Sequence, residues 1–331
     1  MTSPDLQSDI AVEASALVKT FGALRAVDGI DIQVRRGHVF GVLGPNGAGK
    51  TTMLKMLATL LPIDGGSARI FGVDVATRPH EVRQLVGVTG QYASVDENLS
   101  ARENLVLFGR LLGLSRKRAV QTCEELLEAF GLADAATRQI KHYSGGMRRR
   151  LDLAASLISQ PPLIFLDEPT TGLDPRTRGQ MWETIRRLVR DGATVLLTTQ
   201  YLDEADQLAD RIAVIDRGKK VAEGTPDELK ASVGKSSLRV RLEDPARTAE
   251  AATVISAVLG EEPVLTPEAG GLNIALPDAN RAADVLIALR EARLGISAAS
   301  VRQPSLDEVF LALTGHHSGE ADEHDARAEI A

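Results

Sequence analysis

The string Gly44-Pro-Asn-Gly-Ala-Gly-Lys-Thr51 limits what this chain can fold into more than any other segment of it. It fits G-x-x-x-x-G-K-[ST] at every fixed position. An apolar run at 39–43 precedes it and a helical run at 52–60 follows, the setting this pattern requires. Such a turn from buried strand to helix belongs to an α/β layer fold. Gly44, Pro45, Asn46, Gly47, Ala48 and Gly49 would wrap a β-phosphate, with backbone N–H groups turned inward and the helix dipole favouring negative charge. Lys50 should reach the β- and γ-phosphates, Thr51 should place its hydroxyl on Mg²⁺, and Thr52 continues the helix start beside them.

The rest of the α/β pattern is consistent with this start. Between residues 12 and about 225, short apolar runs alternate with amphipathic stretches. The runs at 39–43, 163–166, 195–198 and 212–215 suit buried parallel strands. Between Gln91 and Ser144 the character turns helical, opening on the capping box Ser100-Ala-Arg-Glu103. A second helix over about 116–130 carries Cys123 as a packing residue.

A phosphate loop needs carboxylates at the end of a neighbouring strand. Leu163-Ile-Phe-Leu-Asp167-Glu168 supplies them. Burial of the strand makes both acids emerge at its carboxyl end. Asp167 would hold Mg²⁺ directly or through water, and Glu168 is the natural general base for an attacking water. The two motifs together describe a nucleoside triphosphatase. The guanine-reading Asn-Lys-x-Asp is absent, which favours ATP over GTP.

At 331 residues the chain suggests about two domains. Lys and Arg total 38 against 45 Asp and Glu, a net charge of -7, and aromatics make up 3%. Both argue against a protein that wraps nucleic acid or stacks bases, so no nucleic-acid partner is expected. One cysteine excludes a disulfide framework. No apolar run approaches the roughly 20 residues of a spanning helix, and residues 1–10 lack the basic start of a signal peptide. The chain is expected to be cytoplasmic by itself and to reach a membrane only by docking onto something else.

Residues 228–236 are read as a linker between a first domain at 12–227, with a helical subdomain at about 92–143, and a small α+β domain at 237–315. Over the small domain the pattern β-α-β-β-α-β is that of a ferredoxin-like unit. Ser305-Leu-Asp-Glu308 caps a last helix. The polar, acidic stretch 316–331 is expected to be a disordered tail.

Further segments carry a family resemblance. Tyr143-Ser-Gly-Gly-Met-Arg-Arg-Arg-Leu-Asp-Leu-Ala154 resembles the signature motif of the ATP-binding cassette (ABC) family. Thr171-Gly-Leu-Asp174 resembles its D-loop and Gln91 its Q-loop, and Phe21 matches the aromatic that stacks on adenine. These marks run in family order. The resemblance implies that Ser144, Gly145 and Gly146 face the γ-phosphate of a second copy in a head-to-tail ATP sandwich. It implies further that Asp174 lines the nucleotide and that Gln91 serves both nucleotide and metal. Arg148, Arg149 and Arg150 are read as a solvated basic helix face.

Thr198-Thr-Gln-Tyr-Leu-Asp-Glu-Ala-Asp206, Met147 in the signature, and Leu306-Asp-Glu-Val-Phe-Leu-Ala-Leu-Thr314 look like the daunorubicin/doxorubicin-resistance type of exporter ATPase. That type implies a peripheral subunit at the cytoplasmic face of the membrane, partnered by a separate integral membrane permease and powering drug efflux. The region from Gln91 to about Ile140 would carry the contact. Two positions depart from the wider family: Met147 stands where Gln is usual, and Gln200 where most cassettes carry a histidine. A glutamine amide can donate to a phosphate oxygen but cannot carry charge or shuttle a proton, which leaves Glu168 as base and Gln200 as a positioning group. A soluble cassette ATPase of repair or translation is the alternative, as is a regulatory scaffold. It is disfavoured by the single phosphate loop and by the short Gln91-to-Ser144 interval, 144 − 91 = 53 residues.

Overall fold

The strand that enters the phosphate loop, Val39–Leu43, is buried at all five residues, as a strand covered on both faces must be. It lies inside a six-stranded sheet in a computed structural model that describes residues 9–89, 95–233, 236–266, 268–276, 278, 280–302 and 304–315. The strand order is Lys219–Gly224, Arg211–Asp216, Val39–Leu43, Thr194–Thr199, Leu163–Asp167, Val86–Thr89. All neighbours are parallel except Lys219–Gly224, which closes one edge antiparallel. The four apolar runs expected as buried strands are strands of this sheet. All strand ends that carry the predicted phosphate chemistry fall at one edge of it, because parallel strands share a direction.

A second sheet departs from the sequence reading, which placed no strand before residue 39. Its order is Leu24–Arg35, Ile10–Phe21, Gly65–Ile70, Val73–Asp74, antiparallel throughout. Alternate residues Ile30, Ile32 and Val34 point inward, the period of a half-buried strand. They join a core with Met53, Leu54, Met56 and Leu57 of helix Lys50–Leu57 and with Phe40, Phe165 and Leu196 of the first sheet. The helix that follows the phosphate loop is thus packed into the core shared by both sheets, which holds the loop in place.

The helical portion contains Ala101–Leu111 and Arg116–Ala129. Ser100 and Glu103 form the expected capping box in both directions. Leu105, Cys123, Leu127, Ile140 and Leu151 pack with Ile164 and Leu166 of the parallel sheet, so this portion is anchored on the face opposite helix Lys50–Leu57. Residues 92–94 of the expected subdomain lie outside the described residues. Among the described residues no helix is long and apolar enough to cross a membrane.

The described chain divides into two compact units, one through Pro226 and one from Asp227. Residues Pro226–Val233 form a helix, as the capping box Thr225-Pro-Asp-Glu228 with proline at the first helical position leads one to expect, so the linker domain boundary at 228–236 begins inside that helix. The second unit follows the expected order: strand Ser237–Leu242, helix Thr248–Leu259, strands Val264–Leu265 and Gly271–Ala275, helix Arg281–Glu291, strand Ile296–Arg302. The two strands Ser237–Leu242 and Gly271–Ala275 are central, and neighbours are antiparallel. Leu238, Val240, Ile255, Leu272, Val285 and Leu289 make its separate core. Helix Leu306–Thr314 starts at Ser305, whose hydroxyl accepts from the Glu308 amide at 3.3 Å. The expected tail at 316–331 lies outside the described residues.

Candidate functional site

The phosphate loop is shaped by what surrounds it. Gly49 precedes helix Lys50–Leu57 at φ +100. A Cβ there would lie 2.2 Å from the Ala26 carbonyl oxygen. Both the backbone angle and the antiparallel sheet therefore demand glycine. The loop is also tied on its far side, where the Gly218 amide donates to the Ala48 carbonyl at 3.0 Å and the Gly44 amide to the Thr199 carbonyl at 3.3 Å.

Lys50 is 4% exposed. Its ammonium donates to the carbonyl oxygens of Gly44 at 2.8 Å and Pro45 at 3.0 Å. It stands 3.5 Å from Glu168 Oε1. Burial pulls the lysine below its ordinary value, and the charge of Glu168 works against that fall. The amine is thus pre-aimed across its own loop and is matched by a carboxylate.

Asp167 closes strand Leu163–Asp167, and its Oδ1 accepts from the Thr51 hydroxyl at 2.9 Å and the Thr198 hydroxyl at 2.6 Å. The Glu168 amide donates to both the carbonyl and the hydroxyl oxygen of Thr198, at 3.1 and 3.2 Å. The Thr171 hydroxyl donates to Glu168 Oε2 at 3.2 Å. Glu168 itself has φ +48, a region non-glycine residues rarely occupy. Lys50, Thr51, Asp167 and Glu168, separated by up to 118 positions (168 − 50), are therefore brought together as expected. Thr198 was missed by the sequence reading. Strand Thr194–Thr199 runs between the two motif strands, so its end reaches both. A readable signal was the Thr198-Thr199 pair closing an otherwise apolar run just before Gln200. Gln200 follows at the same edge and is half-buried.

Phe21 ends strand Ile10–Phe21 and is 46% exposed. The Lys19 ammonium lies 5.6 Å from its ring centroid. A ring left open to solvent at a strand end is available to stack on a planar partner. Gln91 lies outside the described residues.

The signature residues form a second group. Ser144 caps helix Gly145–Ser156, its hydroxyl accepting from the Met147 amide at 3.3 Å. Ser144 and Gly145 are exposed. At Gly146 a Cβ would lie 2.3 Å from Thr177 Cγ2, so this glycine serves close packing. Asp174 caps helix Pro175–Arg190 by accepting from the Thr177 amide at 3.0 Å and hydroxyl at 2.6 Å. Those bonds hold its carboxyl below the ordinary range. Thr177 thereby joins the two helix starts.

The reading of residues 148–150 as a solvated basic face is corrected. Arg148 pairs with Glu97 at 2.6 Å, and Arg150 donates to the Phe130 carbonyl at 3.0 Å. Arg149 turns inward to the carbonyls of residues 167–169. A helix this closely packed on the parallel sheet offers its arginines carbonyls that sequence patterning does not reveal. Cys123 is buried and its thiol is pushed up to about 11, as suits a packing residue.

Comparison with known proteins agrees with this geometry. Residues 27–171 match the family model described as ABC transporter, and residues 224–314 the model described as ATP-binding protein DrrA1-3-like, C-terminal domain. The chain is 54% identical to the daunorubicin/doxorubicin resistance ATP-binding protein DrrA of Streptomyces peucetius, over 96% of this chain and 97% of that one. It is 46% identical to the doxorubicin resistance ATP-binding protein DrrA of Mycobacterium tuberculosis, over 92% and 94%. Among solved structures it resembles the ADP conformation of an ATP-binding cassette of an ABC transporter. That match has a TM-score of 0.60 and 26% identity, covering 67% of this chain and 93% of the other.

Proposed function

Because the chain belongs to the ABC transporter family, in its DrrA-type ATP-binding branch, we propose that it is the ATP-hydrolysing subunit of a two-component exporter. It powers efflux of an antibiotic or another hydrophobic drug through a separate membrane permease. It works as a peripheral protein at the cytoplasmic face of the membrane. The observation that carries this reading is the meeting of Lys50 with Glu168 at 3.5 Å and of Thr51 with Asp167 at 2.9 Å. A phosphate loop and an acid-tipped strand meeting this way make a triphosphate site.

The chemistry follows from these positions. The loop amides and Lys50 take the β- and γ-phosphates, so Lys50 exchanges part of its contact with Glu168 for phosphate oxygens. Phe21 stacks on adenine. The Thr51 hydroxyl and the Asp167 carboxylate are hard oxygen donors side by side, a set suited to Mg²⁺, with Gln91 as a further candidate. When bound, Mg²⁺ neutralises charge that develops on the phosphates. Glu168, released from Lys50, accepts a proton from the attacking water as its oxygen bonds to the γ-phosphorus. The bond to the β-phosphate oxygen breaks, and ADP and phosphate leave. The Gln200 amide donates to a γ-phosphate oxygen. Ser144, Gly145 and Gly146 face the nucleotide of a second copy, with Asp174 at that seam.

Two substitutions test the reading. Lys50→Ala should abolish ATP turnover, and Glu168→Gln should bind ATP, trap the dimer and keep only a small residual turnover. Wild-type turnover in Lys50→Ala would overturn the site. A multi-spanning membrane protein should be encoded in the neighbouring reading frame, and co-expression with it should lower cellular drug accumulation; unchanged accumulation would overturn the export role.

A further inference from the structure

Arg149 lies on helix Gly145–Ser156, 149 − 144 = 5 residues past the cap Ser144. Its guanidinium grips three consecutive backbone carbonyls: Nη2 donates to Asp167 O at 2.7 Å and Glu168 O at 3.0 Å, and Nε to Pro169 O at 3.0 Å. A rigid planar fork suits such a task, since its donors are fixed relative to one another. Three anchored carbonyls fix the peptide planes on either side of Glu168. That is the residue held at φ +48, where the direction of its Cα–Cβ bond depends on the backbone being held. Burial pulls the guanidinium below its ordinary value, opposed by the charges of Asp152, Asp167, Glu204 and Glu168. A cation placed against that cost, with its donors on carbonyls of the strand end, is a specific device rather than a surface charge.

We propose that Arg149 is a positioning residue for hydrolysis: by holding the carbonyls of residues 167–169 it keeps Glu168 in its unusual backbone conformation and aims the base. This rests on the reading of Glu168 as general base. It also links that aim to helix Gly145–Ser156, whose first turn carries Ser144, Gly145 and Gly146. A shift of that helix therefore moves the base.

The test uses the full-length chain and measures kcat, KM for ATP, binding of a fluorescent ATP analogue, and Trp182 fluorescence as a check on folding. In Arg149→Met, kcat should fall about 100-fold, the loss expected when a reacting group moves by about 1 Å, with analogue binding unchanged. Arg149→Lys keeps the charge but not the fork, and kcat should fall about 10-fold. In a Glu168→Gln background, Arg149→Met should cost less than about twofold more, because residues acting as one unit are not additive. A merely structural role would multiply the losses and weaken nucleotide binding in step, and either result overturns the proposal. Wild-type kcat in Arg149→Lys overturns it too, even if Arg149→Met does not fold. Wild-type turnover in Lys50→Ala, by contrast, would overturn the nucleotide-site reading and the proposal with it.

Discussion

Thr198→Val isolates one hydroxyl at the centre of the site. Thr198 is 0% exposed, and valine has nearly its shape, so no cavity opens. The hydroxyl donates to Asp167 Oδ1 at 2.6 Å, a short bond to an ionised group, of the kind that contributes about 1.5–3 kcal/mol. Its acceptor role toward the Glu168 amide is duplicated by the Thr198 carbonyl at 3.1 Å, so losing it adds little. Asp167 keeps the Thr51 hydroxyl at 2.9 Å and is not left bare. The expected cost is therefore about 2 kcal/mol. In a unit of this size that lowers the melting midpoint by about 4–8 °C, at about 2–4 °C per kcal/mol. The single tryptophan, Trp182, lies in the first unit. Its fluorescence during denaturant unfolding reports that unit alone, which matters because two units need not unfold together. A loss below about 0.5 kcal/mol would refute the reasoning, since surface-like substitutions fall in that range.

Gly49→Ala places a Cβ 2.2 Å from the Ala26 carbonyl at φ +100, and should cost about 3 kcal/mol or more in the same unfolding assay. Gln200→His should remain active in an ATPase assay, because either side chain can donate to a phosphate oxygen; complete loss would show that the amide itself is required. Burial raises the Cys123 thiol to about 11 from 9.0. Since the thiolate is the reactive form, an alkylating reagent at pH 8 should label the chain only after denaturation. The unfolded thiol ionises first as pH rises, so this residue's contribution to stability should fall from about pH 9 upward and be lost above about pH 11. A flat pH–stability profile of the first unit over that window, compared with Cys123→Ser, would contradict this.

Much of the site was legible because its chemistry is local in the chain. A fixed spacing of glycines and lysine, an apolar run ending in Asp167-Glu168, and cap residues such as Ser100 with Glu103 each act over a few positions. Their physical meaning survives without knowing the fold. The β-α-β-β-α-β order of the second unit was legible for the same reason, since alternation and helical periodicity are short-range patterns.

What stayed hidden were the contacts between distant segments that no motif announces. Thr198 meets Asp167 across 31 positions, and Arg149 meets Asp167 across 18. A threonine at a strand end or an arginine on a polar helix is ordinary until its neighbour is known. The antiparallel sheet was missed because burial along Ile10–Phe21 alternates irregularly, although the alternation of Ile30, Ile32 and Val34 in its partner strand was readable. By itself, then, the sequence named the candidate groups for a triphosphate site and the element order of the second unit. Only the tertiary structure decided which side chains contact those groups. Contact is a matter of distances between strands and helices far apart in the chain, and those distances are set by the packing of two sheets around helix Lys50–Leu57.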